Sequence, residues 1–191
     1  MKASGRPSAE GYVAKVLAES AKTRTVPNIP PNDEFVVSGE HRLSMRTVWP
    51  AKGKMRGMVY FTHGYCSHIN RFPQAYLENE FAKAGYAFAG VDFHGHGYSD
   101  GIRASIDSHK DVIDDALNGL LAVYGMGDGE YHVEGQADPS LPLFLMGHSM
   151  GGAVAMLMGT ILSAQGEAEA ATPFAHQNMQ HIARLGSIFR G

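Results

Sequence analysis

The sequence predicts an α/β fold built on a mostly parallel sheet with flanking helices. Three observations predict it. The apolar runs Gly57–Thr62, Tyr86–Val91 and 143–146 are continuous rather than alternating, as expected of strands covered on both faces. Segments of helical period separate them, so strands and helices succeed one another as in right-handed βαβ crossovers. The last apolar run stops abruptly in the small-residue turn Gly147-His148-Ser149-Met150-Gly151-Gly152, and a second apolar segment of helical character follows at once.

Taken in order, the chain begins with Ser8, a candidate cap for a helix in which Tyr12, Val13, Val16 and Leu17 recur at helical spacing opposite Lys15, Glu19 and Lys22. Residues 26–33 carry Pro27, Pro30 and Pro31, which bias the chain to extended and turn conformations. Residues 1–33 are therefore read as an amphipathic leader and linker, and 34–191 as the domain. Residues 34–37 and 43–49 read as two strands around Ser38-Gly39-Glu40-His41, a hairpin at the sheet's edge. The run 57–62 leads directly into His63-Gly64-Tyr65. A helix over 72–84 carries Tyr76, Leu77 and Phe81 and ends at Gly85. The strand 86–91 is closed by Asp92. A helix over 108–124 gathers Val112, Ile113, Ala116, Leu117, Leu120 and Leu121 on one face, with Asp111, Asp114 and Asp115 on its solvated or capping part. Residues 125–140 form a polar, glycine-rich loop, and the final helix ends near Leu162.

The bulk numbers narrow the function classes. A chain of 191 residues, 44% apolar and 18% charged, is long enough for one domain with a sizeable core. Its net charge of −3 offers no basic field for nucleic acid. No stretch approaches a membrane span, and the first thirty residues hold no apolar run of signal-peptide type. Cys66, the only cysteine, excludes an internal disulfide and reads as a small buried hydrophobe. These features fit a cytoplasmic protein, with peripheral membrane contact or organelle targeting left open.

Gly147-x-Ser149-x-Gly151 between an apolar strand and a helix is the pattern of a nucleophile elbow. A sharp strand-to-helix turn holds the central residue in a strained conformation and lifts its side chain clear of the backbone. A β-carbon at Gly147 or Gly151 would crowd that turn. In parallel sheets ligands bind beyond the carboxyl ends of the strands, where His63-Gly64, the segment 92–99 and Ser149 all fall.

These three segments, Thr62-His63-Gly64, Asp92-x-His94-Gly95-His96-Gly97-x-Ser99 and Gly147-His148-Ser149-Met150-Gly151-Gly152, together resemble the α/β-hydrolase fold. Within it they resemble the monoacylglycerol lipase-like serine hydrolases, also described as the serine aminopeptidase S33 group. The resemblance runs from about Glu34 to Leu162. It implies Ser149 as the nucleophile of an ester-cleaving enzyme, with an oxyanion hole formed by the backbone N–H groups of Tyr65 and Met150. His63, Gly64, Gly147, His148 and Gly151 are then elbow and loop residues, and Asp92 fixes its loop rather than serving as the triad acid.

The resemblance also sets an expectation about what is missing. In this fold the triad runs Ser, then Asp or Glu, then His. Only 42 residues follow Ser149, and Glu167, Glu169, His176 and His181 have no strand end to position them. The triad Asp and His are expected to be absent, as are the cap and the later strands, so the chain reads as the N-terminal part of a hydrolase domain truncated after the nucleophile helix. The strand 143–146 should then leave an apolar edge open to self-association. His94-x-His96 could chelate a metal, but no Cys, Asp or Glu completes a ligand set. The histidines are read as shaping their loops through hydrogen bonds, with no metal and no cofactor. Partners are expected to be small-molecule esters, lipid esters among them. Peptide cleavage as a serine aminopeptidase and a noncatalytic interaction module are the alternatives.

Overall fold

The computed structural model describes residues 33–51, 55–71, 74–127 and 129–164. The leader helix, the prolines of the linker, Glu167, Glu169, His176 and His181 lie outside the described residues.

Among the described residues, six strands and three helices follow one another as β1 (Phe35–Ser38), β2 (His41–Val48), β3 (Gly57–Thr62), α1 (Gln74–Lys83), β4 (Tyr86–Val91), α2 (His109–Val123), β5 (Tyr131–His132), β6 (Leu143–Gly147) and α3 (Met150–Ala164). The sheet is mixed, in the order β5-β1-β2-β4-β3-β6. β4, β3 and β6 run parallel, in register from Val59 beside Phe88 and Phe144. β5, β1 and β2 extend this core by antiparallel pairing, with β2 antiparallel to β4.

Strand alternation divides the core in two. Met58 and Tyr60 of β3 join Ala87, Ala89 and Val91 of β4 under α2 and α3. Val59, Phe61 and Phe88 face the other way, with Phe81 of α1 stacked on Phe88. Every residue of β3 is buried, which explains why its sequence shows no polar alternation. Ser108 caps α2 by accepting the Lys110 N–H.

Three features differ from the sequence reading. The β1–β2 hairpin is not the edge of the sheet, because β5 pairs with β1, Phe35 opposite His132. A strand of two residues is too short to carry an alternation, so it was hidden within the polar loop 125–140. Cys66 is exposed rather than buried, with φ +53° in the turn that follows His63-Gly64. Asp115 is not on a solvated part of α2 but buried at 2% exposure. At the other side of the sheet, β6 is the outermost strand among the described residues, and its Phe144 is 48% exposed.

Candidate active site

Ser149 stands between β6 and α3 with φ +55°, a left-handed conformation that costs a non-glycine residue on the order of 1 kcal/mol or more. The turn around it leaves no room for side chains. A β-carbon on Gly147 would overlap the Gly151 carbonyl, and one on Gly151 would overlap the Thr62 carbonyl oxygen. The elbow is held by Thr62, the last residue of β3. Its hydroxyl donates to the Gly151 carbonyl at 2.7 Å, and its carbonyl accepts the His148 N–H at 3.1 Å. The Gly151 N–H closes onto the His148 carbonyl at 3.0 Å. Ser149 is exposed, and its hydroxyl makes no hydrogen bond among the described residues.

The loop after β3 comes up against this serine. A β-carbon on Gly64 would sit 3.2 Å from Ser149 Cβ. His63, fully buried beneath the loop, brings its Nδ1 to 2.8 Å from the Gly64 carbonyl, and its Nε2 accepts the Phe93 N–H at 3.0 Å. These two bonds together require the neutral tautomer protonated on Nδ1. Burial lowers the His63 pKa to about 4, so the ring is neutral near pH 7. The Gly64 carbonyl also accepts the Ser67 N–H at 3.2 Å. In a planar trans peptide the Tyr65 N–H points opposite that twice-held carbonyl, and it has no acceptor among the described residues. Met150 is the first residue of α3, so its N–H lacks an intrahelical acceptor. The expected oxyanion donors are therefore both uncommitted.

The loop after β4 braces the first. Asp92 is fully buried, one carboxylate oxygen accepting the Ile69 N–H at 2.7 Å and the other the Tyr98 N–H at 2.9 Å. Both oxygens are occupied by backbone, which is the loop-fixing role read from the sequence. Burial raises the Asp92 pKa against these bonds. Ser99 accepts the Ser44 N–H and donates to the Asp92 carbonyl, and Arg103 reaches the carbonyls of Gly97 at 2.9 Å and Ser99 at 3.0 Å. His96 places its ring 5.4 Å from that of His63 and 5.7 Å from that of Tyr65, with Nδ1 2.9 Å from the His94 carbonyl. His94 bonds to Asp115 on α2, Nδ1 to Oδ2 at 2.6 Å, which raises its pKa against the effect of burial.

The structure thus brings together Ser149, Met150, Gly147, Gly151, His148, His63, Gly64 and Tyr65 at the carboxyl ends of β3 and β6. Sequence reasoning missed Thr62 as the elbow's anchor and Asp115 as the partner of His94. Thr62 lay in plain view at the end of an apolar strand, where a lone hydroxyl must find a partner once buried. Asp115 sits among apolar neighbours on α2, Ala116 and Leu117 beside it, and that setting was the available signal.

Comparison with known proteins places these features in a family. The family described as serine aminopeptidase, S33, matches residues 53–182. Human monoglyceride lipase is 30% identical over 142 residues, covering 73% of this chain and 42% of that protein. Caffeoylshikimate esterase of Arabidopsis thaliana is 36% identical over 119 residues, 61% of this chain and 32% of that protein. The chain thus spans less than half the length of these relatives. Among solved structures, a thermostable carboxyl esterase from Bacillus coagulans in complex with glycerol superposes with a TM-score of 0.53 at 22% identity, over 70% of this chain and 41% of that one.

Proposed function

Because the chain belongs to the serine aminopeptidase S33 family of α/β-hydrolases, we propose that it carries the nucleophile and oxyanion half of an ester hydrolase, with Ser149 as nucleophile. The observation that carries this reading is the left-handed Ser149 between β6 and α3, with Gly64 packed against its Cβ. Ser149 Oγ attacks the carbonyl carbon of a carboxylic ester while its proton passes to a base. The oxyanion is held by the N–H groups of Tyr65 and Met150. The alcohol leaves with a proton returned by that base, and water hydrolyses the acyl-enzyme. One oxyanion donor is typically worth about 3 kcal/mol of barrier, so the His63 bond that fixes the Gly64–Tyr65 peptide bears directly on rate. The lipase and esterase names of the relatives favour esters over peptides, and monoacylglycerols are the substrates to try first.

The base and its carboxylate lie outside residues 33–164 in this reading. The Ser149 hydroxyl has no hydrogen bond to any described histidine, Asp92 is occupied by backbone N–H groups, and His63 is bonded through both ring nitrogens. A fluorophosphonate probe tests the proposal, with Ser149→Ala as control. Labelling of the wild type that disappears in the variant is expected for any chain or assembly that contains the base. Labelling that survives in Ser149→Ala would overturn the assignment of the nucleophile.

A further inference from the structure

Three residues other than glycine hold a left-handed backbone among the described residues: Cys66 at φ +53°, Ala104 at φ +56° and Ser149 at φ +55°. Ser149 is accounted for by the elbow. The other two lie at either end of a single hydrogen bond. The phenol of Tyr65, next to Cys66, donates to the Ala104 carbonyl at 2.8 Å and so joins the turn after β3 to the loop between β4 and α2. A left-handed residue with a β-carbon persists only where its surroundings hold it.

Both ends of that bond are supported. On the acceptor side the Ala104 N–H donates to the Gly95 carbonyl at 2.9 Å, and the neighbouring Arg103 guanidinium donates to the carbonyls of Gly97 and Ser99. Ser99 is tied in turn to β2 through the Ser44 N–H. On the donor side the Tyr65 ring meets the His96 ring at 5.7 Å and 67°, and His96 is 3% exposed, its Nδ1 donating to the His94 carbonyl at 2.9 Å. The Tyr65 ring itself is 54% exposed, so burial accounts for little of its placement, and the directed bond from its hydroxyl accounts for more.

The consequence concerns the Gly64–Tyr65 peptide. Its carbonyl is held by His63 Nδ1 and by the Ser67 N–H. On its N–H side the next free rotation is φ of Tyr65, and a side chain fixed against Ala104 and His96 stops that rotation. We propose that the phenol of Tyr65 is a positioning group, whose bond to Ala104 clamps the turn 64–67 to the β4–α2 loop and thereby fixes the direction of the Tyr65 N–H. Its chemical role rests on the reading of Ser149 as nucleophile and of that N–H as an oxyanion donor, while the clamp itself does not. One hydrogen bond of this kind is worth about a three- to tenfold bias in favour of the held geometry.

Tyr65→Phe keeps the ring and removes only the hydroxyl. Residual dipolar couplings of the backbone N–H groups, measured by NMR on the full chain, report the directions of those groups. The coupling at position 65 is expected to change, with changes confined to residues 64–67 and 103–105. Tyr131→Phe, on β5 at the far edge of the sheet, is expected to leave it as in the wild type. An unchanged coupling at position 65 would overturn the proposal. So would changes running through β3 and β4, which mark a hydroxyl that holds the fold rather than the N–H. Labelling kinetics with the fluorophosphonate probe read the chemical effect. The inactivation rate constant should fall about three- to tenfold with the apparent affinity for the probe unchanged. An unaltered rate constant in Tyr65→Phe would also overturn the proposal. A wild type that the probe does not label counts against Ser149 as an activated nucleophile, and the dipolar couplings then decide the clamp by themselves.

Discussion

His63 should make the protein lose stability on mild acidification, and the size of the loss follows from its surroundings. The ring is buried, donates from Nδ1 to the Gly64 carbonyl and accepts the Phe93 N–H on Nε2. Protonating Nε2 removes that acceptor and places a charge where water cannot reach. The folded pKa is accordingly lowered from 6.5 to about 4. Between those values the unfolded chain takes up a proton that the folded chain refuses, so stability is full above about pH 6.5, falls as pH drops, and levels off below about pH 4. At about 1.4 kcal/mol per pH unit, the interval corresponds to roughly 3 kcal/mol. Urea denaturation of the wild type and of His63→Asn at pH 7, 6, 5 and 4 isolates this contribution, since other titrating groups are common to both. The wild type's advantage should shrink by about 3 kcal/mol from pH 7 to pH 4. A constant difference, or an NMR titration of the His63 ring with a midpoint near 6.5, would refute the reasoning.

Two further substitutions separate parts of the site. Gly147→Ala drives a β-carbon into the Gly151 backbone, whereas at Gly152 the nearest atom to a β-carbon is 3.7 Å away. Thermal unfolding should therefore show Gly147→Ala destabilised by about 2 kcal/mol or more and Gly152→Ala nearly unchanged, and equal effects would count against the elbow's packing. Asp115→Asn removes the carboxylate that raises the His94 pKa, so the His94 ring should titrate at lower pH by NMR. The stability that this pair adds is present below the ordinary histidine value and fades as pH rises through the raised folded pKa, so the wild type's advantage over Asp115→Asn should be larger at pH 6 than at pH 8.

How much of this was legible in the sequence depended on the range of the interaction concerned. The strands 57–62 and 86–91 carry their burial in every residue, and their bounds are those observed. Ser108 and Gly85 punctuate their helices by local chemistry, the first as a cap and the second through φ +89°. The elbow was readable because Gly147, Ser149 and Gly151 lie within five residues, although the clash that requires Gly151 comes from the Thr62 carbonyl of β3. β5 was not, since two residues acquire strand character only by pairing with Phe35 and Val36, about a hundred positions earlier. Asp115 was misread for a related reason. On its own helix it is one of three similar carboxylates, and only the approach of His94 from the β4 loop makes it a buried partner. Cys66 was assigned by residue type, while its exposure is set by the turn after His63-Gly64.

The turn at Ser149 is best understood as the meeting point of three strand ends rather than as a local motif. Ser149 in a left-handed conformation is unfavourable in isolation, so its neighbours must over-determine it. Thr62 does so from β3, binding both the residue before the serine through its carbonyl and Gly151 through its hydroxyl. The residue after Thr62 is His63, which fixes the Gly64 carbonyl and with it the direction of the Tyr65 N–H. One strand end therefore sets Ser149 and the Tyr65 N–H together. β4 contributes the third part, since the Phe93 N–H holds His63 and the Asp92 carboxylate holds Ile69 beyond the Tyr65 turn. Ser149 and the Gly64–Tyr65 loop are, on these contacts, one unit assembled from β3, β4 and β6.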